Sequence, residues 1–68
     1  MSVHYPNVSV NLKHVAQNEF AVMHTVCRAM REKGISPIEI LDFQLDAMKG
    51  DFEHLLKTVG EYVVVSKT

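Results

Sequence analysis

The stretch Gly34-Ile35-Ser36-Pro37-Ile38-Glu39-Ile40 fixes where one helix ends and the next begins. Gly34 suits the left-handed residue that closes a helix. Ile35 is placed to fold back on Met30, the contact that accompanies a Schellman ending. Ser36 is an N-cap, and Pro37 fits the first helical position, where its missing N–H is no loss. Glu39, three residues on, completes a capping box, with Ile35 and Ile40 as its hydrophobic staple. The corner is therefore a tight helix–turn–helix.

Upstream of the corner, Phe20, Met23, Cys27 and Met30 repeat at helical spacing, widened by Val22, Val26 and Ala29. Asn18 is the N-cap, so a helix is predicted near 19–33. Downstream, Ile38, Leu41, Leu45 and Met48 form a stripe flanked by Ile40, Phe43 and Ala47, predicting a helix over 37–49 that ends at Gly50. Asp51 caps a third helix near 52–60, carrying Phe52, Leu55, Leu56 and Val59. Gly60 either ends it or lies inside a longer helix reaching Tyr62.

The ends of the chain read differently. Asn7 to Lys13 alternates strictly, with Val8, Val10 and Leu12 on one face, the pattern of a half-buried strand at 7–13. Val63-Val64-Val65 favours a second strand at 62–66. The first strand needs a hydrogen-bonding partner, either that C-terminal segment or an edge of another chain. The fold class is α+β and mainly helical, in a single domain over 1–68. The expected core is Val8, Val10, Leu12, Phe20, Met23, Cys27, Met30, Ile38, Leu41, Leu45, Leu55, Leu56 and Val59.

The 68 residues carry a formal net charge of −1 and 47% hydrophobic residues. A chain this short has a thin core, and its single cysteine, Cys27, excludes an internal disulfide. No basic run supports nonspecific nucleic-acid binding, and no apolar run approaches the roughly 18 residues that span a membrane. Met1-Ser2-Val3-His4 lacks a signal-peptide pattern, so the reading is a cytoplasmic protein without a membrane partner.

The order of these motifs resembles a family of short, uncharacterised bacterial, phage and mobile-element proteins. Its marks here are Tyr5-Pro6-Asn7-Val8 in the strand, Phe20-Ala21 opening the first helix, and Ala29 and Arg31 before Gly34. Ile40 and Phe43 follow in the second helix, then Gly50-Asp51 leading into His54-Leu55-Leu56 and Thr58. The likeness spans about residues 5 to 63. Where the family tends to carry a glycine-containing turn, this chain has His14-Val15-Ala16-Gln17. The resemblance implies no catalytic residue; it implies a phage or mobile-element setting, with inhibitor or regulatory roles.

Catalytic chemistry finds little support. Cys27 with His24 three residues earlier would be a nucleophile pair, but Cys27 lies in the apolar stripe, where a cysteine is a small hydrophobe. His24 and Cys27 with His4, His14 or His54 lack the paired short spacing of structural zinc sites. No cofactor motif is present, and the expectation is a non-enzyme. Glu39, Asp42 and Asp46 line one side of the second helix, either as a solvated face or as a dock for a basic partner. They also argue against a DNA recognition helix, which would offer Arg, Lys, Asn or Gln. The candidate partner-binding residues are Glu39, Asp42 and Asp46 together with Val22, Val26 and Phe43, apolar positions in excess of what two short helices can bury. The expected function is a protein-interaction or regulatory module, with a nucleic-acid-binding accessory protein as the alternative and a thiol- or metal-dependent enzyme behind both. The expected partner is a protein, either a host or phage protein or a second copy, most simply in a homodimer.

Overall fold

The computed structural model describes residues 3–66. The elements are β1 (Tyr5–Asn11), α1 (Glu19–Glu32), α2 (Pro37–Ala47), α3 (Phe52–Tyr62) and β2 (Val63–Ser66). The fold is α+β and mainly helical, as the sequence predicts. β1 and β2 pair in parallel, with Tyr5 opposite Val63 and Asn11 opposite Ser66. The partner strand thus comes from the same chain. α1 packs on β1, α3 on β2, and α2 on both of those helices.

β1 starts two residues earlier than the alternation predicts, because its pairing with β2 takes in Tyr5. His4 N–H adds a bond to the Glu61 carbonyl at 3.1 Å. Between Tyr5 and Ser9 the register slips, and this interval contains Pro6, which has no N–H to give to a ladder. The strand ends early as well. Asn11 Oδ1 accepts from Lys13 N at 2.9 Å, a side-chain turn that competes with further extension.

The Gly34 ending of α1 and the Ser36 cap of α2 form as read. Gly34 has φ 82°, the left-handed region. Ile35 N–H donates to the Met30 carbonyl at 3.0 Å and Gly34 N–H to that of Arg31 at 3.0 Å, the two bonds of a Schellman ending. Ser36 Oγ accepts from Glu39 N at 3.3 Å. The capping box is only half made. Glu39 does not reach back to Ser36 N–H; its Oε2 accepts from the Tyr5 hydroxyl at 3.3 Å, tying the start of α2 to β1.

Asn18 and Asp51 cap α1 and α3 by accepting from Ala21 N at 2.9 Å and His54 N at 3.0 Å. α2 stops at Ala47, two residues short of the expected end. The His54 ring takes up the Asp46 carbonyl at 2.9 Å, which Lys49 N–H also approaches at 3.3 Å. Gly50 is required here, since a Cβ on it would lie 2.8 Å from the His54 Cβ. Gly60 lies inside α3, which runs on to Tyr62.

The core corrects the expected list. Val8, Val10, Cys27, Met30, Leu55 and Val59 are buried as predicted, and they are joined by Val22, Val26, Ile40, Phe43, Ala47, Thr58 and Val63. Leu12, Met23 and Leu56 only border it. Phe20, Ile38, Leu41 and Leu45 are exposed. α2 is thus turned relative to expectation: it buries Ile40, Phe43 and Ala47 and leaves the stripe Ile38, Leu41, Leu45, Met48 outside. Phe43 decides the orientation, meeting the Tyr62 ring edge-on with centroids 5.2 Å apart, while small Ala47 lets the helix approach closely.

Ser36→Ala is expected to cost about 1 kcal/mol of stability, the usual loss for an N-cap. Gly34→Val is expected to cost more, since a β-branched residue at positive φ adds roughly 1–2 kcal/mol of backbone strain or more. Urea denaturation of both variants checks this, and unchanged midpoints would mean that α2 does not start at Pro37.

Candidate interaction surface

At 3.6 residues per turn, α2 divides into three faces, each roughly a third of its circumference. The inner face holds Ile40, Phe43 and Ala47, with half-buried Gln44 turned toward α1. The second face is acidic. Its Glu39 accepts from Tyr5 and its Asp46 from the Tyr62 hydroxyl, each at 3.3 Å. Asp42 lies between them, solvent-facing, and its carboxylate has no hydrogen-bond or ion-pair partner among the described residues. The third face is apolar and open: Ile38 is 74% exposed, Leu41 51%, Leu45 57% and Met48 72%.

These four residues are spaced 3, 4 and 3 apart, the a and d positions of a heptad seam. A single exposed leucine needs no explanation, whereas this row of three large apolar side chains on α2 and a fourth at its C-cap makes the face a candidate interaction surface. In the first turn of α1, Phe20 is also exposed, at 87%. Its neighbour Glu19 lines a shallow hollow with Met23 and Met48, so the start of α1 lies beside the end of α2. A second hollow between these helices is lined by Cys27, Arg31, Pro37, Ile40 and Gln44. The outer surface thus runs from Arg31, over the apolar seam, to the acidic row.

The sequence-derived candidates separate into two groups. Glu39, Asp42 and Asp46 do share one side of α2. Val22, Val26 and Phe43 are fully buried and form no part of a surface. Both α2 stripes fit helical periodicity, and the stripe assigned to the core is the exposed one. The residues that sequence reasoning missed as surface are Ile38, Leu41, Leu45 and Met48. Their 3, 4, 3 spacing is matched by the 3, 4 spacing of Ile40, Phe43 and Ala47, so spacing alone does not mark them as the outer set.

Cys27 is buried, and Gln44 Nε2 donates to its Sγ at 3.2 Å. Burial pushes the thiol up, partly countered by the Gln44 bond and by the charge of Arg31. A thiol raised in this way is a poor nucleophile. His24 is exposed, on the outside of α1. His54 works structurally, its Nε2 lying 2.9 Å from the Asp46 carbonyl and 3.3 Å from Thr58 Oγ1. Among the described residues no three His, Cys, Asp or Glu side chains gather in a metal-binding group, and no helix is long and apolar enough to cross a membrane.

No family model matches this chain, and neither the curated proteins nor the solved structures contain a significant match to it.

Tyr5 and Tyr62 carry the pH dependence of this region. Burial first, then the neighbouring Glu39 or Asp46 carboxylate, raises each phenol above the ordinary 10.0. The fold therefore favours the neutral phenols and holds their protons more tightly than the unfolded chain does. Their contribution to stability is complete below the unfolded value of about 10 and is lost as pH rises through the folded value. Ultraviolet titration of phenolate absorbance is expected to place both above free tyrosine, and Tyr62→Phe should flatten the alkaline loss of stability. A Tyr62 that titrates like the free amino acid would contradict the Asp46 contact.

Proposed function

We propose that this chain is a non-enzymatic protein-interaction or regulatory module and that the outer side of α2 is its docking surface. The observation that carries this reading is the exposed seam Ile38, Leu41, Leu45, Met48. Full burial of an exposed side chain of this size is worth roughly 1.5–3 kcal/mol, and these four, exposed by half to three quarters, forgo a corresponding part of it each, a large sum for a domain of marginal stability. A surface of that cost is retained where a partner covers it. The acidic row beside the seam supplies orientation and selects against acidic partners, nucleic acid included. α2 itself carries no basic residue that would read a base edge or neutralise a phosphate. The buried, neutral Cys27 supports a module without thiol chemistry. A small chain that acts by covering another protein's surface also suits the phage or mobile-element setting that the resemblance implies.

Pull-down from native lysate tests this, with wild type set beside Leu41→Asp/Leu45→Asp and each arm repeated after nuclease treatment. The expected result is one or more proteins retained by wild type, unaffected by nuclease and lost with the double variant. Retention that disappears with nuclease would favour the nucleic-acid alternative. Equal retention by both forms would place the docking surface elsewhere.

A further inference from the structure

Resting on the reading of α2 as a docking surface, we propose its occupant: the α2 seam of a second copy of this chain, lying parallel to the first about a twofold axis. The choice of self-pairing follows from charge. The outer surface bears its acidic row on one flank of the seam; on the other it bears Arg31, beside Pro37 and Gln44, and Glu19, beside Met48. Each copy therefore carries both halves of a complementary pair, Asp42 and Arg31, so the partner's chemistry is already present on the chain.

The direction follows from symmetry. If two α2 helices ran antiparallel about a twofold axis, their acidic rows would share one side of the pair, opposing like charges. If they run parallel, the acidic flank of each meets the Arg31 flank of the other. Heptad geometry makes this specific. With Ile38 and Leu45 at a and Leu41 and Met48 at d, Asp42 is an e position, while Pro37 and Gln44 are g positions. In a parallel pair e faces g of the partner. Pro37 and Gln44 line the same hollow as Arg31, so Asp42 of one copy approaches Arg31 of the other. Within one copy neither the Asp42 carboxylate nor the Arg31 guanidinium has a hydrogen-bond or ion-pair partner among the described residues. The seam is only about three turns long, too short to hold two isolated helices together. Here each helix is already fixed on its domain, so little ordering entropy opposes pairing.

Sedimentation equilibrium on the full chain, with circular dichroism to verify folding, tests the proposal. Wild type is expected to form a reversible dimer that Leu45→Asp, an exposed substitution, reduces to a folded monomer. Asp42→Arg alone and Arg31→Asp alone are each expected to weaken the dimer about tenfold, because the twofold axis counts each surface pair twice. The double exchange should recover most of the loss. Under mild oxidation Ile38→Cys should crosslink to itself, as in-register a positions of a parallel pair allow, with wild type as the control for buried Cys27. A dimer unaffected by Leu45→Asp overturns the proposal, as does an Ile38→Cys chain that crosslinks only when mixed with Met48→Cys. So does a wild-type chain that stays monomeric at high micromolar concentration. In that last case, seam-dependent capture of a different protein from lysate would leave the docking surface standing and remove only self-pairing; loss of both would remove the two readings together.

Discussion

The parallel pairing of β1 with β2 constrains everything between them. Parallel neighbours cannot be joined by a tight turn, so the chain must leave the end of β1 and return to start β2 beside β1's beginning. All three helices serve as that crossover. Their apolar sides must be covered by a sheet two strands wide, and such a sheet accommodates two helices. α1 takes β1 and α3 takes β2. α2, between them in sequence, packs on the other two helices instead.

That position gives α2 its divided character. Its inner side closes the core with Phe43 and Ile40, held at one end by the Ser36 cap and the Tyr5–Glu39 bond and at the other by the His54 ring and the Tyr62–Asp46 bond. These four attachments fix the rotation of the helix about its axis. They also hold the acidic row at a set angle to the apolar seam. The proposed docking surface is thus held in one orientation by the fold, which would lower the entropic cost of docking. The tyrosines that fix it lie on the acidic side and leave the seam itself unobstructed.

Local chemistry was legible in the sequence. The Gly34–Ser36–Pro37 corner, the caps at Asn18 and Asp51, and the Val8–Val10 alternation each depend on neighbours within a few residues, and each formed. Features set by distant partners were not. Whether Ile38, Leu41 and Leu45 or Ile40, Phe43 and Ala47 faced inward could not be read from periodicity, because both sets share the helical repeat. The Tyr62 ring decides it from nineteen positions beyond Phe43. Phe20 continues the α1 stripe in sequence, yet in the first turn of that helix it is left exposed. Glu39 looked like a capping-box residue until Tyr5 offered it a different partner. The same rotation of α2 moved the candidate surface: its acidic residues were identified, while Val22, Val26 and Phe43 went to the core and the seam took their place.

The central claim is that α2 holds the fold with one apolar side and keeps the other for docking. Denaturant unfolding of Phe43→Ala and Leu45→Ala, at protein concentrations low enough to keep the chain monomeric, tests it most directly. The account predicts a loss of about 3–5 kcal/mol for Phe43→Ala, the usual cost of emptying a buried aromatic site, and under about 1 kcal/mol for Leu45→Ala. Comparable losses for the two, or a larger loss at Leu45, would mean that the seam is part of the core and would contradict the account.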